Sequence, residues 1–335
     1  MATVLTRYHQ GDLAFGAPFG MLERNAEDVV PITTDSGKVI HQPAVQILNE
    51  RGEYSATQGS IAPWIRPFMP RIDPWFARGK ASVTNLTGIA RTRVNERLKT
   101  GAGDRRDILY HLENAKDSDG KPMPRDELIA EALTQLIAGS DTTSNSSCAI
   151  SFYLTRNPEV KKKLQKALDE AFGPAGLSGV IEYEDAKKVK YLEASINEAL
   201  RMHSTSGMGL PRIMTQDTEV LGEVFKAGTV LSVPSYTIHH LKEIWGDPEV
   251  YRPERWLGPD AAELEKSLNV FSFGPRSCVG RNVAMLELTC FIATLFYRYD
   301  FKLADESMKE LEVKEGFLRK PLAFPALIKR RNATA

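Results

Sequence analysis

Charge of one sign is missing from this sequence: its 43 lysines and arginines are balanced by 43 aspartates and glutamates. Without a cationic surplus to displace counterions from a phosphate backbone, nucleic acid is not an expected partner. Cysteine is scarce too, with Cys148, Cys278 and Cys290 scattered along 335 residues. Three dispersed thiols build no disulfide framework, which fits a reducing compartment and leaves each one needing its own explanation. Long apolar runs are also lacking. Nowhere does the chain reach the roughly 18 unbroken apolar residues of a membrane span, so as it stands it reads as having neither signal peptide nor anchor. No internal repeat or low-complexity tract appears.

What is present is ordinary globular material, 42% hydrophobic and 26% charged. Loops rich in Gly, Pro and Asp separate long stretches of helical periodicity, so the pattern predicts a mainly α protein with small β-sheets. Asp126 and Glu127 open a long apolar-periodic helix over 125–156, which stops where Asn157 is placed to cap and Pro158 to start the next helix. After a Gly173 to Gly179 link comes a helix over 190–202. Two β-prone runs, 220–225 and 229–233, suggest a hairpin around Lys226 to Gly228. The segment 245–272 is irregular, and a strongly apolar helix resumes at 281–297.

The sharpest feature is the loop 271–280, punctuated by Gly274 and Gly280 and ending where that last helix starts. A thiolate at Cys278 would be favoured by the helix N-terminus and by Arg276 and Arg281, which oppose the cost of a negative sulfur. The glycines would let backbone approach a flat, bulky ligand. The plainer alternative is a buried cysteine acting as a small hydrophobe. Cys148 and Cys290, inside apolar helices, are read in that plain way.

Other constellations are weaker alone. Glu198 and Arg201 sit three apart on one helix face, an arrangement that is usually a solvated pair. Ala138 to Thr143 sets Asp141 and Thr142 in an otherwise apolar helix; there Thr142 could simply bond back to a carbonyl four residues earlier while Asp141 faces solvent. His203, His239 and His240 invite a metal reading, but adjacent histidines on a β-prone run would point to opposite faces.

The loop matches F-x-x-G-x-R-x-C-x-G at Phe271, Gly274, Arg276, Cys278 and Gly280, and with it the chain resembles the cytochromes P450. That resemblance implies a haem b (iron protoporphyrin IX) held through Cys278, with Arg276 meeting a propionate and Arg212, after Pro211, meeting another. Glu198 and Arg201 are similar to the family's E-x-x-R helix, and Pro253 to Trp256 to its P-E-R-F element, so Glu198, Arg201 and Arg255 are expected to form a buried clamp on the haem loop. Ala138 to Thr143 resembles A-G-x-D-T-T, implying room for dioxygen at Gly139 and proton relay by Asp141 and Thr142. Residues 1–335 read as the C-terminal two-thirds of one such domain. A membrane anchor, the first strands and several helices, one with a propionate-gripping W-x-x-x-R, would precede it.

At finer grain, segments 11–20, 202–206 and 232–240 look like those of fungal benzoate 4-monooxygenases. The resemblance implies insertion of one atom of O2 into a small aromatic or hydrophobic substrate. Electrons would come from NADPH through NADPH-cytochrome P450 reductase, at the cytosolic face of the endoplasmic reticulum. For a benzoate-sized acid, Ser204, Thr205, Ser206 and Arg319 are the candidate donors, unless the hydroxyls only cap the turn after the Glu198 helix. Two other readings stand beside this one. One is an inactive remnant that does not hold haem; the other is a peroxide-using isomerase or dehydratase, against which the Asp141–Thr142 pair argues.

Overall fold

The computed structural model describes residues 11–21, 24, 28–173 and 179–331; the middle of the Gly173 to Gly179 link lies outside the described residues. These residues form two compact units divided between Ser144 and Asn145.

In the first unit, β1 (Val29–Thr33) pairs antiparallel with β2 (Val39–Pro43), and α1 (Ala44–Ser60) follows at once. The short α2 (Met69–Ile72) leads into α3 (Pro74–Thr100). Asp73 starts α3 by accepting from the Trp75 N–H at 2.8 Å, with Pro74 in the first turn where its missing N–H costs nothing. Along this helix Gly88 has a structural reason: a Cβ there would come within 2.3 Å of Ile32 Cγ2 on β1. Thr92 Oγ1 then accepts the Thr33 N–H at 2.8 Å, so helix and strand are joined by packing and by a buried hydrogen bond. After α4 (Ile108–Glu113), the long α5 (Arg125–Arg156) begins. Its buried Leu128, Ile129, Ala132 and Leu136 recur at helical spacing and join Ile32, Ile47, Leu48, Leu86 and Ile89 in one core.

The second unit holds the end of α5, then α6 (Pro158–Phe172), α7 (Tyr183–Ala186) and α8 (Lys190–His203). Short strands follow: β3 (Arg212–Ile213), β4 (Thr218–Val220), β5 (Glu223–Phe225) and β6 (Val230–Leu231). Next come α9 (Ser235–His239), α10 (Lys242–Trp245), a 3-10 turn at Pro253–Trp256, α11 (Ala261–Lys266), a second 3-10 turn at Gly274–Arg276 and α12 (Arg281–Arg298). Strands β7 (Tyr299–Leu303), β8 (Val313–Lys314), β9 (Lys320–Pro321) and β10 (Ala326–Arg330) complete it. Every sheet among the described residues has two strands. Leu164 and Leu168 of α6, Leu192 and Ile196 of α8, and Leu288, Ile292 and Phe296 of α12 form the core. No helix among the described residues is long and apolar enough to cross a membrane.

The mainly helical architecture with small sheets is as the sequence predicts, and three local expectations are corrected. The hairpin closes at Leu221 and Gly222, both at positive φ, and not at Lys226 to Gly228. Asp217 explains the change. Its carboxylate accepts from the Ala227 N–H and the Lys226 ammonium, turning that bend away so that β6 pairs with β3. Asn157 does not cap α6 with its side chain, which donates back to the Tyr153 carbonyl at 2.8 Å. The run holding His239 is helical, not extended: Ser235 to His239 form α9.

Candidate active site

The loop 271–280 is shaped by its own backbone. Cys278 N–H donates to the Phe271 carbonyl at 2.8 Å, and Ser277 N–H to the Gly274 carbonyl at 3.0 Å. Gly274 has φ +74 with open space where a Cβ would stand, so the turn's dihedral requires glycine there, not crowding. Gly280 is the residue before α12, and a Cβ on it would lie 3.8 Å from the Cys278 sulfur, an ordinary contact. At Gly274 backbone conformation is thus a reason for glycine in its own right, beside the close approach to a flat ligand expected from the sequence.

Cys278 is exposed, which removes the small-hydrophobe alternative. Beside it Phe273 is 60% and Val279 97% exposed, and Val283 and Leu286 continue the apolar surface onto α12. Exposed apolar side chains on the cysteine loop and on the first turns of the helix after it are what a large, flat, apolar group with a single sulfur ligand would cover. Arg276 is exposed, as a propionate partner needs to be. Arg281 lies with its guanidinium 5.6 Å from the Phe271 ring centroid, so its charge is spent partly on that ring. The residues present thus fit a haem. Arg212 is exposed on β3. Cys148 and Cys290 sit half-buried within α5 and α12, and burial pushes the first thiol up to about 11 and the second upward as well. Neither is a thiolate at neutral pH.

Glu198 and Arg201 of α8 meet Arg255 of the first 3-10 turn with almost no water. Arg201 donates to both oxygens of Glu198 at 3.1 and 2.9 Å, and Arg255 Nε to Oε1 at 2.8 Å. Trp256 Nε1 and the Arg252 N–H complete the carboxylate's partners at 2.9 and 3.1 Å. The guanidiniums spend their other protons on carbonyls: Arg201 on His239 and Pro248, Arg255 on Trp245. Taken as a solvated surface pair, Glu198 and Arg201 would be misread, since both are 0% exposed.

One member of this region escapes the sequence. His239 Nε2 accepts the Asn269 N–H at 2.8 Å, so the neutral ring must carry its proton on Nδ1. That proton goes to Ser204 Oγ, which itself donates to the Arg201 carbonyl at 3.0 Å. His239 thus ties the end of α8 to the segment entering the cysteine loop. Nothing local in the sequence marks it, because its partners lie at 201, 204 and 269.

His203 and His239 are both held neutral. Burial pushes each down to about 4 from the ordinary 6.5, helped by Arg319 at His203 and by Arg201 at His239. The unfolded chain binds these protons near pH 6.5 and the folded chain only near 4, so stability is full above 6.5 and drains as pH falls through that window. Each histidine is worth on the order of 3 kcal/mol across it. Urea unfolding should therefore have a clearly lower midpoint at pH 5 than at pH 7.5, and the double substitution His203→Asn with His239→Gln should flatten the difference. Equal midpoints in the unaltered chain would refute the assignment.

The segment 138–143 of α5 lies in the first unit. Thr142 Oγ1 donates to the Ala138 carbonyl at 2.7 Å, and Ser140 makes the same backward bond to Leu136. The plain alternative for Thr142 is thus realised as far as its proton goes, leaving its oxygen able to accept. Asp141 is half-buried and does not simply face solvent. The expected carboxylate donors of the second unit are largely committed. Ser204, at φ +38, caps α8; Thr205 Oγ1 lies 3.2 Å from Ser146 Oγ. Arg319 donates to Glu315 and to the His203 carbonyl while stacking on Tyr236.

The Cytochrome P450 family model matches residues 9–327, running through both units. The chain is 47% identical over 331 residues to Benzoate 4-monooxygenase bphA of Aspergillus niger, covering 96% of this chain and 63% of that protein. It is 30% identical over 300 residues to Cytochrome P450 monooxygenase atr2 of Stereocaulon alpinum, covering 88% and 55% respectively. The chain therefore spans less than two-thirds of the length of these relatives.

Proposed function

The chain belongs to the cytochrome P450 family, and we propose from this that it carries the haem-thiolate site of a monooxygenase acting on a small aromatic or hydrophobic molecule. The observation that carries the reading is Cys278, an exposed thiol on a glycine-shaped loop at the start of α12, bordered by exposed apolar side chains. Benzoate, hydroxylated at the para position, is the candidate substrate, supported by the 47% identity to a protein named for that reaction. The match running from 9 to 327 supports treating 1–335 as one domain.

In this reading Cys278 supplies the sulfur ligand, Arg276 and Arg212 meet the propionates, and Phe271, Gly274 and Gly280 shape the loop. Glu198, Arg201 and Arg255 hold the segments that frame it. Bound haem supplies dioxygen activation with two electrons from NADPH, so that one oxygen atom enters the substrate and the other leaves as water. Asp141 accepts protons from water and passes them inward, and the Thr142 hydroxyl, an acceptor towards water while it bonds to Ala138, is the second station. NADPH-cytochrome P450 reductase is the proposed electron donor, at the cytosolic face of the endoplasmic reticulum. The test is direct: load the chain with haem, reduce it under carbon monoxide and record the Soret region. A long-wavelength thiolate band is expected, and failure to take up haem would overturn the proposal in favour of an inactive remnant.

A further inference from the structure

Resting on that reading of the site, we propose that Arg51 is the cation that receives the carboxylate of an aromatic-acid substrate, and so decides between acids and neutral rings. Helices α1 and α5 meet in the core of the first unit, where Leu48, Leu136 and Ser140 line one small apolar cavity. Arg51 stands one helical turn beyond Ile47 and Leu48, and Asp141 one turn beyond Ile137, so both emerge from the same apolar contact. They are close enough for the Asp141 charge to act on the guanidinium, which burial otherwise disfavours.

Arg51, half-buried, differs from the paired arginines of this unit. Arg91, Arg93 and Arg97 of α3 each pair with a carboxylate, from Asp35, Glu96 and Asp107. Among the described residues the half-buried Arg51 guanidinium makes no hydrogen bond or ion pair of its own. Withdrawing such a cation from water with only the through-space attraction of Asp141, and no hydrogen-bonded partner, is costly, which points to an anion that arrives from outside. The chemistry narrows the anion. A planar fork of N–H donors matches a carboxylate, and the apolar packing of Leu48 and Ile137 one helical turn away suits a ring. The nearby Asp141 charge would repel a doubly charged phosphate more than a monoanion. Of the four hydroxyl and guanidinium donors expected from the sequence, Ser204 and Arg319 already serve the protein's own backbone and Glu315, and Thr205 lies against Ser146, which leaves Ser206 as the competing donor.

Calorimetric titration of the full chain with benzoate, and in parallel with toluene, tests this with or without haem loaded. Arg51→Gln should weaken benzoate at least about tenfold and leave toluene unchanged, while Arg51→Lys keeps measurable benzoate binding. Arg51→Met is the second variant should the glutamine chain not fold. Absence of benzoate binding to the unaltered chain, equal binding by Arg51→Gln, or an equal loss for toluene would each overturn the assignment. The carbon monoxide band separates the two readings: a thiolate band with benzoate indifferent to Arg51 sinks this inference alone. No haem uptake with Arg51-dependent benzoate binding sinks the other alone.

Discussion

Cys278→Ala is expected to abolish the long-wavelength carbon monoxide band of the haem-loaded chain completely, leaving no thiolate-ligated fraction. The loss should be total because no other sulfur can substitute. Cys148 and Cys290 are half-buried within helices, where backbone geometry holds them and burial keeps both thiols protonated. The substitution itself is mild for the fold: the side chain is exposed, and the loop is shaped by the Cys278 N–H bond to Phe271 and by Gly274, neither of which needs the sulfur. Thermal unfolding of the haem-free variant should therefore match that of the unaltered chain. Retention of the thiolate band in Cys278→Ala would show that the ligand has been misassigned.

Glu198→Ala should cost about 3–5 kcal/mol of unfolding free energy, because it leaves buried cations facing an empty site. Domains of this kind are stable by only roughly 5–15 kcal/mol, so a loss of that size threatens the folded state itself. Arg201 bears the heavier part: without Glu198 it keeps the carbonyls of His239 and Pro248 and the Trp245 ring at 5.1 Å but no carboxylate, whereas Arg255 keeps the Asp247 carboxylate at 3.1 Å. Urea unfolding followed by far-ultraviolet dichroism measures the change. Glu159→Ala, which removes a fully exposed partner of Lys162, is the comparison and should leave the midpoint where it was. Equal midpoints for Glu198→Ala and Glu159→Ala would mean that the buried cluster contributes nothing.

The parts of this protein that could be read from sequence are those whose information is local. The glycine-punctuated loop around Cys278 and the long helix over 125–156 depend on neighbouring residues, and their outlines were visible in composition and period alone. The hairpin was misplaced because Lys226 to Gly228 has ordinary turn chemistry, whereas the real turn puts Leu221 at a positive φ that its side chain disfavours. The Glu198 cluster reads as a surface pair until its family pattern is recognised, since Arg255 and Trp256 arrive from more than fifty positions away. Arg51 and His239 carry no local mark at all. A half-buried arginine and one histidine of a pair become significant only when folding brings Asp141 or Asn269 beside them.

The sharing of one carboxylate by two guanidiniums also bears on how this chain can change over generations. Replacing Glu198 first strands the Arg201 charge and leaves Arg255 with Asp247 alone; replacing Arg201 or Arg255 first leaves the carboxylate short of a donor inside the core. Each one-step path to an apolar cluster therefore crosses a less stable ancestor, even where the finished exchange would be tolerated. These three positions should be inherited as a block. Descendants that have lost one of them are expected to have lost the other two, or to have stopped needing the loop that they hold.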